Sequence, residues 1–275
     1  MILVISLNKI SFTVLQSYLL GNSTKDFMVL YDKRRINLDD IKINTQNVKY
    51  IKINRLVLIF FALLSMIGKI ETLLIPHHIL GRIGNIIRIF AKEVHYIDDG
   101  MDTLRDMPKN FDLSKYDKDS IYYTFKEYKY FGKWLQGRKI EQIATIKDLI
   151  EDKPFFIIED GFLVVESPGL NTNQIESQDG KMYLFQHPSP LKQIKWERDF
   201  ELIDSKKYSV ENTILNMTKG EIYIGETMSL IISIYCGLSN DVKIVCQLNS
   251  LSNLSNVKKL VSEHKNLEIV DTSQL

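Results

Sequence analysis

Cysteine is scarce in this sequence, long apolar runs are missing, and charge of neither sign dominates. Only Cys236 and Cys246 occur in 275 residues. Neither belongs to a Cys-x-x-Cys pair and no histidine cluster accompanies them, which argues against a structural zinc site. They read as buried apolar side chains in a reducing compartment. The most apolar stretch, Leu56 to Gly68, is shorter than the about 20 residues a bilayer span needs, and reads as a core helix rather than one lying on a membrane. The apolar N-terminus, Met1 to Leu7, lacks the basic start and small-residue cleavage site of a signal peptide and reads as a first buried strand. A net charge of +1 directs the chain to neither DNA nor an acidic partner. No Gly-x-Gly-x-x-Gly or Walker motif is present, so NAD binding and P-loop chemistry have no support. The expected location is the cytoplasm, with peripheral contact at the inner face of a membrane.

At roughly 150 residues per domain, the length suggests two domains. In the first half, apolar runs alternate with helical patterns. Strands are expected at Ile2–Ile5, Phe27–Tyr31, Val48–Ile53, Thr72–Ile75 and Val94–Ile97. Helices are expected at Ser11–Leu20, Leu56–Ile70 and Gly84–Ala91. Strands alternating with helices imply parallel crossovers and a doubly wound sheet. Residues 101–153 break the rhythm. They carry Pro108, many Lys and Asp residues, and the aromatics Tyr116, Tyr122, Tyr123, Phe125, Tyr128, Tyr130, Phe131 and Trp134. They read as an inter-domain stretch with one or two helices. A second series of strands follows at Phe155–Ile158, Met182–Phe185, Phe200–Ile203, Glu221–Ile224, Lys243–Cys246 and Leu267–Val270. Helices fit at Val210–Met217, Thr227–Cys236 and Ser255–His264. The expected fold class is α/β, with Rossmann-like domains at 1–150 and 151–275.

Three segments carry polar residues where such folds do chemistry. Asp98-Asp99-Gly100 lies directly after a strand, and in open α/β sheets ligands bind at the carboxyl ends of strands. A carboxylate there can take a proton from a hydroxyl, although Asp-Gly is also a common turn pair. His187-Pro188-Ser189-Pro190 follows a strand of the second half. Proline fixes the backbone beside the imidazole, which can donate a proton to a leaving phosphate near neutral pH, or the segment is simply a proline-rich turn. Gly225-Glu226-Thr227-Met228-Ser229 opens a helix whose free N–H groups favour a phosphate, and Thr and Ser there also serve as ordinary caps.

The order of the three segments resembles the bacterial sialyltransferases that carry a D/E-D/E-G motif, an HP motif and a Ser/Thr motif, including lipooligosaccharide and capsule polysialic acid enzymes. The resemblance covers about residues 94–238. It implies a GT-B arrangement, two Rossmann-like domains facing across a cleft. It implies that Asp98 or Asp99 is the general base; of the two, Asp99 lies closest to the turn and furthest out of the strand, which favours it. It implies that His187 assists departure of the CMP phosphate. Gly100, Pro188, Ser189, Gly225, Thr227 and Ser229 would line the donor site, with Thr227 and Ser229 on the phosphate. The family's hydroxyl pair is usually adjacent, whereas Met228 separates the two here. The implied donor is a CMP-nonulosonic acid, the acceptor a glycan or glycolipid hydroxyl, and no metal or other cofactor is required.

Two alternatives stand beside this. Glu159-Asp160-Gly161 also follows a strand and resembles a Glu-Asp-Gly-Phe segment of capsule Kdo transferases, which use a CMP donor too; it also reads as a hairpin turn between Phe155–Ile158 and Phe162–Val165. Lys126, Lys129, Lys133, Arg138 and Lys139 among Tyr and Trp residues would suit a binder of single-stranded nucleic acid or of an anionic glycolipid surface, or form a solvated amphipathic helix. His77-His78 reads as a loop or acceptor-site wall rather than a metal site.

Overall fold

The computed structural model describes residues 1–36, 47–76, 81–107, 119–150, 153–159, 162–167, 170–175, 182–187, 200–217, 219–225, 227–239, 241–248 and 254–271. His77, His78, Pro108, Tyr116, Asp160, Gly161, Pro188, Ser189, Pro190 and Glu226 lie outside the described residues. The chain divides into two compact units, Met1–Leu149 and Ile150–Leu275.

The first unit is built on seven strands: β1 (Ile2–Ser6), β2 (Phe27–Tyr31), β3 (Val48–Lys52), β4 (Thr72–Pro76), β5 (Glu93–Ile97), β6 (Ile121–Phe125) and β7 (Lys139–Ala144). They pair in the order β3-β2-β1-β4-β5-β6-β7, and every pairing is parallel. A parallel sheet is covered on both faces, which is why β1 is apolar and buried at every position. Among the described residues three helices do the covering: α1 (Lys9–Gly21), α2 (Arg55–Met66) and α3 (Gly81–Phe90). Right-handed crossovers put α2 and α3 on one face, where they pack against each other, and α1 on the other. Leu3, Ile5, Leu30, Phe61, Ile70, Leu73, Ile75, Ile87 and Tyr96 form the core under α2 and α3.

The second unit opens with an antiparallel sheet of β8 (Phe155–Glu159), β9 (Phe162–Ser167) and β10 (Leu170–Ile175). A five-stranded parallel sheet follows, made of β11 (Tyr183–Phe185), β12 (Glu201–Ile203), β13 (Gly220–Ile224), β14 (Val242–Leu248) and β15 (Leu267–Asp271), in the order β12-β11-β13-β14-β15. Helices α4 (Val210–Asn216), α5 (Thr227–Tyr235) and α6 (Ser255–Ser262) connect its strands. Both units are α/β with parallel sheets, compatible with a Rossmann-like fold.

Three expectations need correction. The stretch 101–153 supplies β6 and β7, which extend the first sheet, and the helical segments among its described residues are short 3₁₀ turns at Met101–Thr103, Lys133–Leu135 and Ile146–Leu149. Aromatic residues favour strands, and Tyr122, Tyr123 and Phe125 of β6 are all buried. Leu56 to Gly68 is a core helix on one side only. Phe61, Ala62 and Ser65 face the core, while Leu56, Ile59, Phe60, Leu63, Met66 and Ile67 are exposed. Cys246 is buried on β14, but Cys236, just past the end of α5, is only half-buried. Among the described residues no helix is long and apolar enough to cross a membrane.

Candidate functional site

In the first unit the strand order reverses between β1 and β4, the kind of switch point at whose carboxyl ends open α/β sheets bind ligands. β5 is the next strand along, so Asp98-Asp99-Gly100 emerges at the same edge of the sheet. Asp98 is fully buried and its carboxylate is saturated. Oδ1 accepts from the Gly100 N–H at 2.8 Å and from the Thr103 hydroxyl at 2.6 Å, and Oδ2 accepts from the Thr124 hydroxyl at 2.6 Å. The Thr103 hydroxyl also meets the Tyr122 hydroxyl at 2.7 Å. Burial pushes the Asp98 carboxyl up to about 6; the two hydroxyls and the Gly100 N–H hold it down against that, and the neighbouring charge of Asp99 adds to the rise. Gly100 has φ 125°, a backbone open to glycine and strained for any other residue, so the turn that brings its N–H onto Asp98 requires it.

Asp99 is 8 % exposed. Its backbone carbonyl accepts from the side-chain amide of Asn8 at 2.9 Å. Asn8 in turn caps α1 by accepting from the Ser11 N–H at 2.9 Å, so one residue ties the turn after β1 to the end of β5. Further along the same loop, Arg105 pairs with Asp102 at 2.7 Å, and the Trp134 indole donates to the Asp102 carbonyl at 2.9 Å. The loop is thus fixed by groups from the cap of α1, from β6 and from the turn at Trp134.

In the second unit the order reverses between β11 and β13. Their carboxyl ends are joined: the Gly225 N–H donates to the Phe185 carbonyl at 2.7 Å, and the Ser205 hydroxyl, past the end of β12, donates to the Gln186 carbonyl at 2.6 Å. His187 follows directly and is half-buried. A Cβ on Gly225 would stand 2.6 Å from Oε1 at the free end of the Gln186 side chain, which can swing aside, and 3.5 Å from the Phe185 carbonyl. Thr227 is the first residue of α5 and is half-buried. Ser229 is buried, and its hydroxyl donates to Glu211 on α4 at 2.7 Å, which directs it toward α4.

The structure therefore gathers Asp98, Asp99 and Gly100 at one carboxyl edge, and His187, Gly225 and Thr227 at the switch point of the other sheet. Sequence reasoning passed over Asn8, Thr103, Tyr122, Thr124 and Arg105 in the first group and Gln186, Ser205 and Glu211 in the second. Asn8 carried a visible signal, an amide two residues after a buried strand. Thr124 carried none, because its strand was not recognised. Glu159 lies in an antiparallel pair, opposite Phe162, and not at the end of a parallel strand. Tyr122, Phe125, Tyr128 and Trp134 are buried, so they are turned away from any base that would stack on them. A cavity of about 350 Å³ lies elsewhere, lined by Tyr18, Thr72, Glu93, His95, Tyr123 and Glu141 near the amino ends of the strands. There His95 Nδ1 accepts from the Ile121 N–H at 3.2 Å, and burial pushes the Tyr123 hydroxyl up. We place the candidate chemistry at the carboxyl edges, where open parallel sheets bind ligands, and not in this cavity.

These observations define the class: a protein of two parallel-sheet α/β units, each with its polar residues at the carboxyl ends of its strands. No protein-family model matches the chain, and no curated protein matches it.

Proposed function

We propose that the chain is a glycosyltransferase that moves sialic acid or a related nonulosonic acid from a CMP-sugar to a glycan hydroxyl, with inversion, in the synthesis of a lipooligosaccharide or capsule. The observation that carries this reading is the second switch point, where His187 and the start of α5 stand at the ends of β11 and β13. A helix N-terminus offers unpaired N–H groups to a phosphate, and an imidazole beside it can give a proton to the same group. The two units then act as the halves of a GT-B enzyme, the second holding the donor and the first the acceptor.

In this mechanism the bond from the anomeric carbon to the CMP phosphate oxygen breaks as positive charge grows on the sugar ring. Negative charge collects on the departing phosphate, where the α5 N–H groups, the Thr227 hydroxyl and His187 stabilise it. Asp99 takes the proton of the attacking hydroxyl. Asp98 is assigned a different part: it accepts from Gly100, Thr103 and Thr124 and so fixes the loop that carries Asp99. Ser229 is left out of the phosphate site because its hydroxyl serves Glu211.

The test is calorimetry of the full chain with CMP and UDP. Binding of CMP in preference to UDP is expected; tight UDP binding with none of CMP overturns the reading.

A further inference from the structure

α2 has one apolar face too many. Its inner face packs Phe61, Ala62 and Ser65 into the core, and its outer face carries Leu56, Ile59, Phe60, Leu63, Met66 and Ile67. Those positions recur every three to four residues and form one stripe along the helix. Leu56 is 77 % exposed, Ile67 67 %, and Phe60 and Leu63 57 % each. Ile89 and Phe90 at the end of the neighbouring α3 widen the stripe. The stripe runs about 18 Å along α2 and broadens at the end of α3, and a contiguous exposed apolar patch of several hundred Å² marks an interaction site.

The charges around it are mainly basic, with Glu71 and Glu93 as the exposed acidic residues at one end. Neither α2 nor α3 contains an acidic residue. Lys52, Arg55 and Arg82 are exposed at one end of the helix pair, and Lys69 and Lys92 at the other. The nearby Glu71 is held by the chain's own amino group at 3.1 Å, and Glu93 accepts from the Thr72 hydroxyl at 3.4 Å. A second copy of the chain fits this face poorly. Two-fold pairing would set the net positive rim of one patch against the net positive rim of the other.

We infer that the α2–α3 face is a docking surface for an anionic lipid bilayer. The apolar stripe enters the boundary between headgroups and acyl chains, while the lysines and arginines at its two ends meet lipid phosphates. The helix is too short to span, so the contact is peripheral and reversible. This holds whatever reaction the chain carries out.

The experiment is flotation of the full chain with vesicles of phosphatidylcholine alone and of phosphatidylcholine with roughly one third phosphatidylglycerol. The chain is expected to float with the anionic vesicles and to be released as salt is raised, since salt screens the basic rim. Phe60→Asp and Leu63→Asp replace exposed side chains, so circular dichroism should be unchanged while partitioning falls roughly tenfold or more. The pair Arg55→Glu and Lys69→Glu should lower it by a similar factor through charge alone, about tenfold. Failure of the unmodified chain to float, or undiminished flotation of Leu63→Asp, overturns the inference. A dimer in sedimentation that Leu63→Asp dissociates also overturns it and gives the face to a second copy.

Discussion

Two neighbouring carboxylates, Asp98 and Asp99, stand in unlike surroundings, and two predictions separate them. Asp98 holds three hydrogen-bond donors in a site without solvent. Asp98→Ala leaves those donors facing a void and should cost about 2–5 kcal/mol, read by chemical denaturation. Asp98→Asn should behave otherwise. Its oxygen can still accept from Gly100 and Thr103, and its NH₂ can donate to the Thr124 hydroxyl, so the amide imitates the protonated acid. The acid itself is raised from 3.8 to about 6 on folding. Between those values the native state holds a proton that the unfolded chain has released. The contribution of this group to stability therefore falls as pH rises from about 4 to about 6 and is level above, a loss of up to about 3 kcal/mol. Asp98→Asn removes that dependence, so at pH 7 it should match or exceed the unmodified chain in stability, and the difference should shrink toward pH 4. Parallel pH profiles of the two proteins would refute the account. Asp99→Asn belongs to the chemistry: transfer should fall by about 10²–10⁴-fold, with melting temperature and CMP affinity unchanged. Full activity in Asp99→Asn, with loss in a Glu159→Gln or Asp160→Asn variant, would move the base to the second unit.

At the scale of elements, what could be read from the sequence follows from burial. The strands β1, β2, β4, β11, β13, β14 and β15 are short apolar runs, and a run such as Ile2-Leu3-Val4-Ile5 has few other uses than the middle of a parallel sheet. β6 and β7 escaped notice for opposite reasons. Tyr122-Tyr123-Thr124 mixes rings with hydroxyls and passed for a polar aromatic surface, although the rings are buried. β7 lies at the edge of the sheet, where exposed Lys139 and Gln142 dilute the apolar pattern. The loss of β6 hid Thr124, and with it the reason Asp98 is saturated. The order of motifs was readable because each follows a recognisable strand; the pairing of Ser229 with Glu211 was not, since it joins residues 18 apart on different helices. That pairing sets up a contrast within α5. Ser229→Ala should cost about 1 kcal/mol of stability and leave CMP affinity intact, because the hydroxyl serves α4. Thr227→Val keeps the side-chain volume and should weaken CMP binding several-fold with little change in stability. Calorimetry and denaturation of both variants check this, and the reverse pattern would return Ser229 to the phosphate.

Across the whole molecule the two units have separate cores, one around Leu3, Leu73 and Phe61, the other around Leu184, Tyr223 and Val245. Each can therefore respond to a ligand on its own, and the donor should reveal itself by which unit it steadies. A ligand that binds only the native state adds RT ln(1 + [L]/Kd), about 2.7 kcal/mol at a hundredfold excess over Kd. Amide exchange reads that gain residue by residue, since local opening draws on the stability of the unit in which it occurs. With CMP alone, slower exchange is expected at Tyr183–His187, at Gly220–Gly225 and in the first turn of α5. The N–H groups of that turn have no partner within the helix, so a phosphate placed on them should slow them most. The strands β1, β5 and β6 should stay near their unliganded rates, because the proposed nucleotide site lies on the second unit. Adding an acceptor glycan to the CMP-bound protein should then protect the loop of Asp98, Asp99 and Gly100. Protection by CMP that centres on that loop instead would reverse the roles of the two units: the first sheet would hold the nucleotide, and His187 would belong to the acceptor.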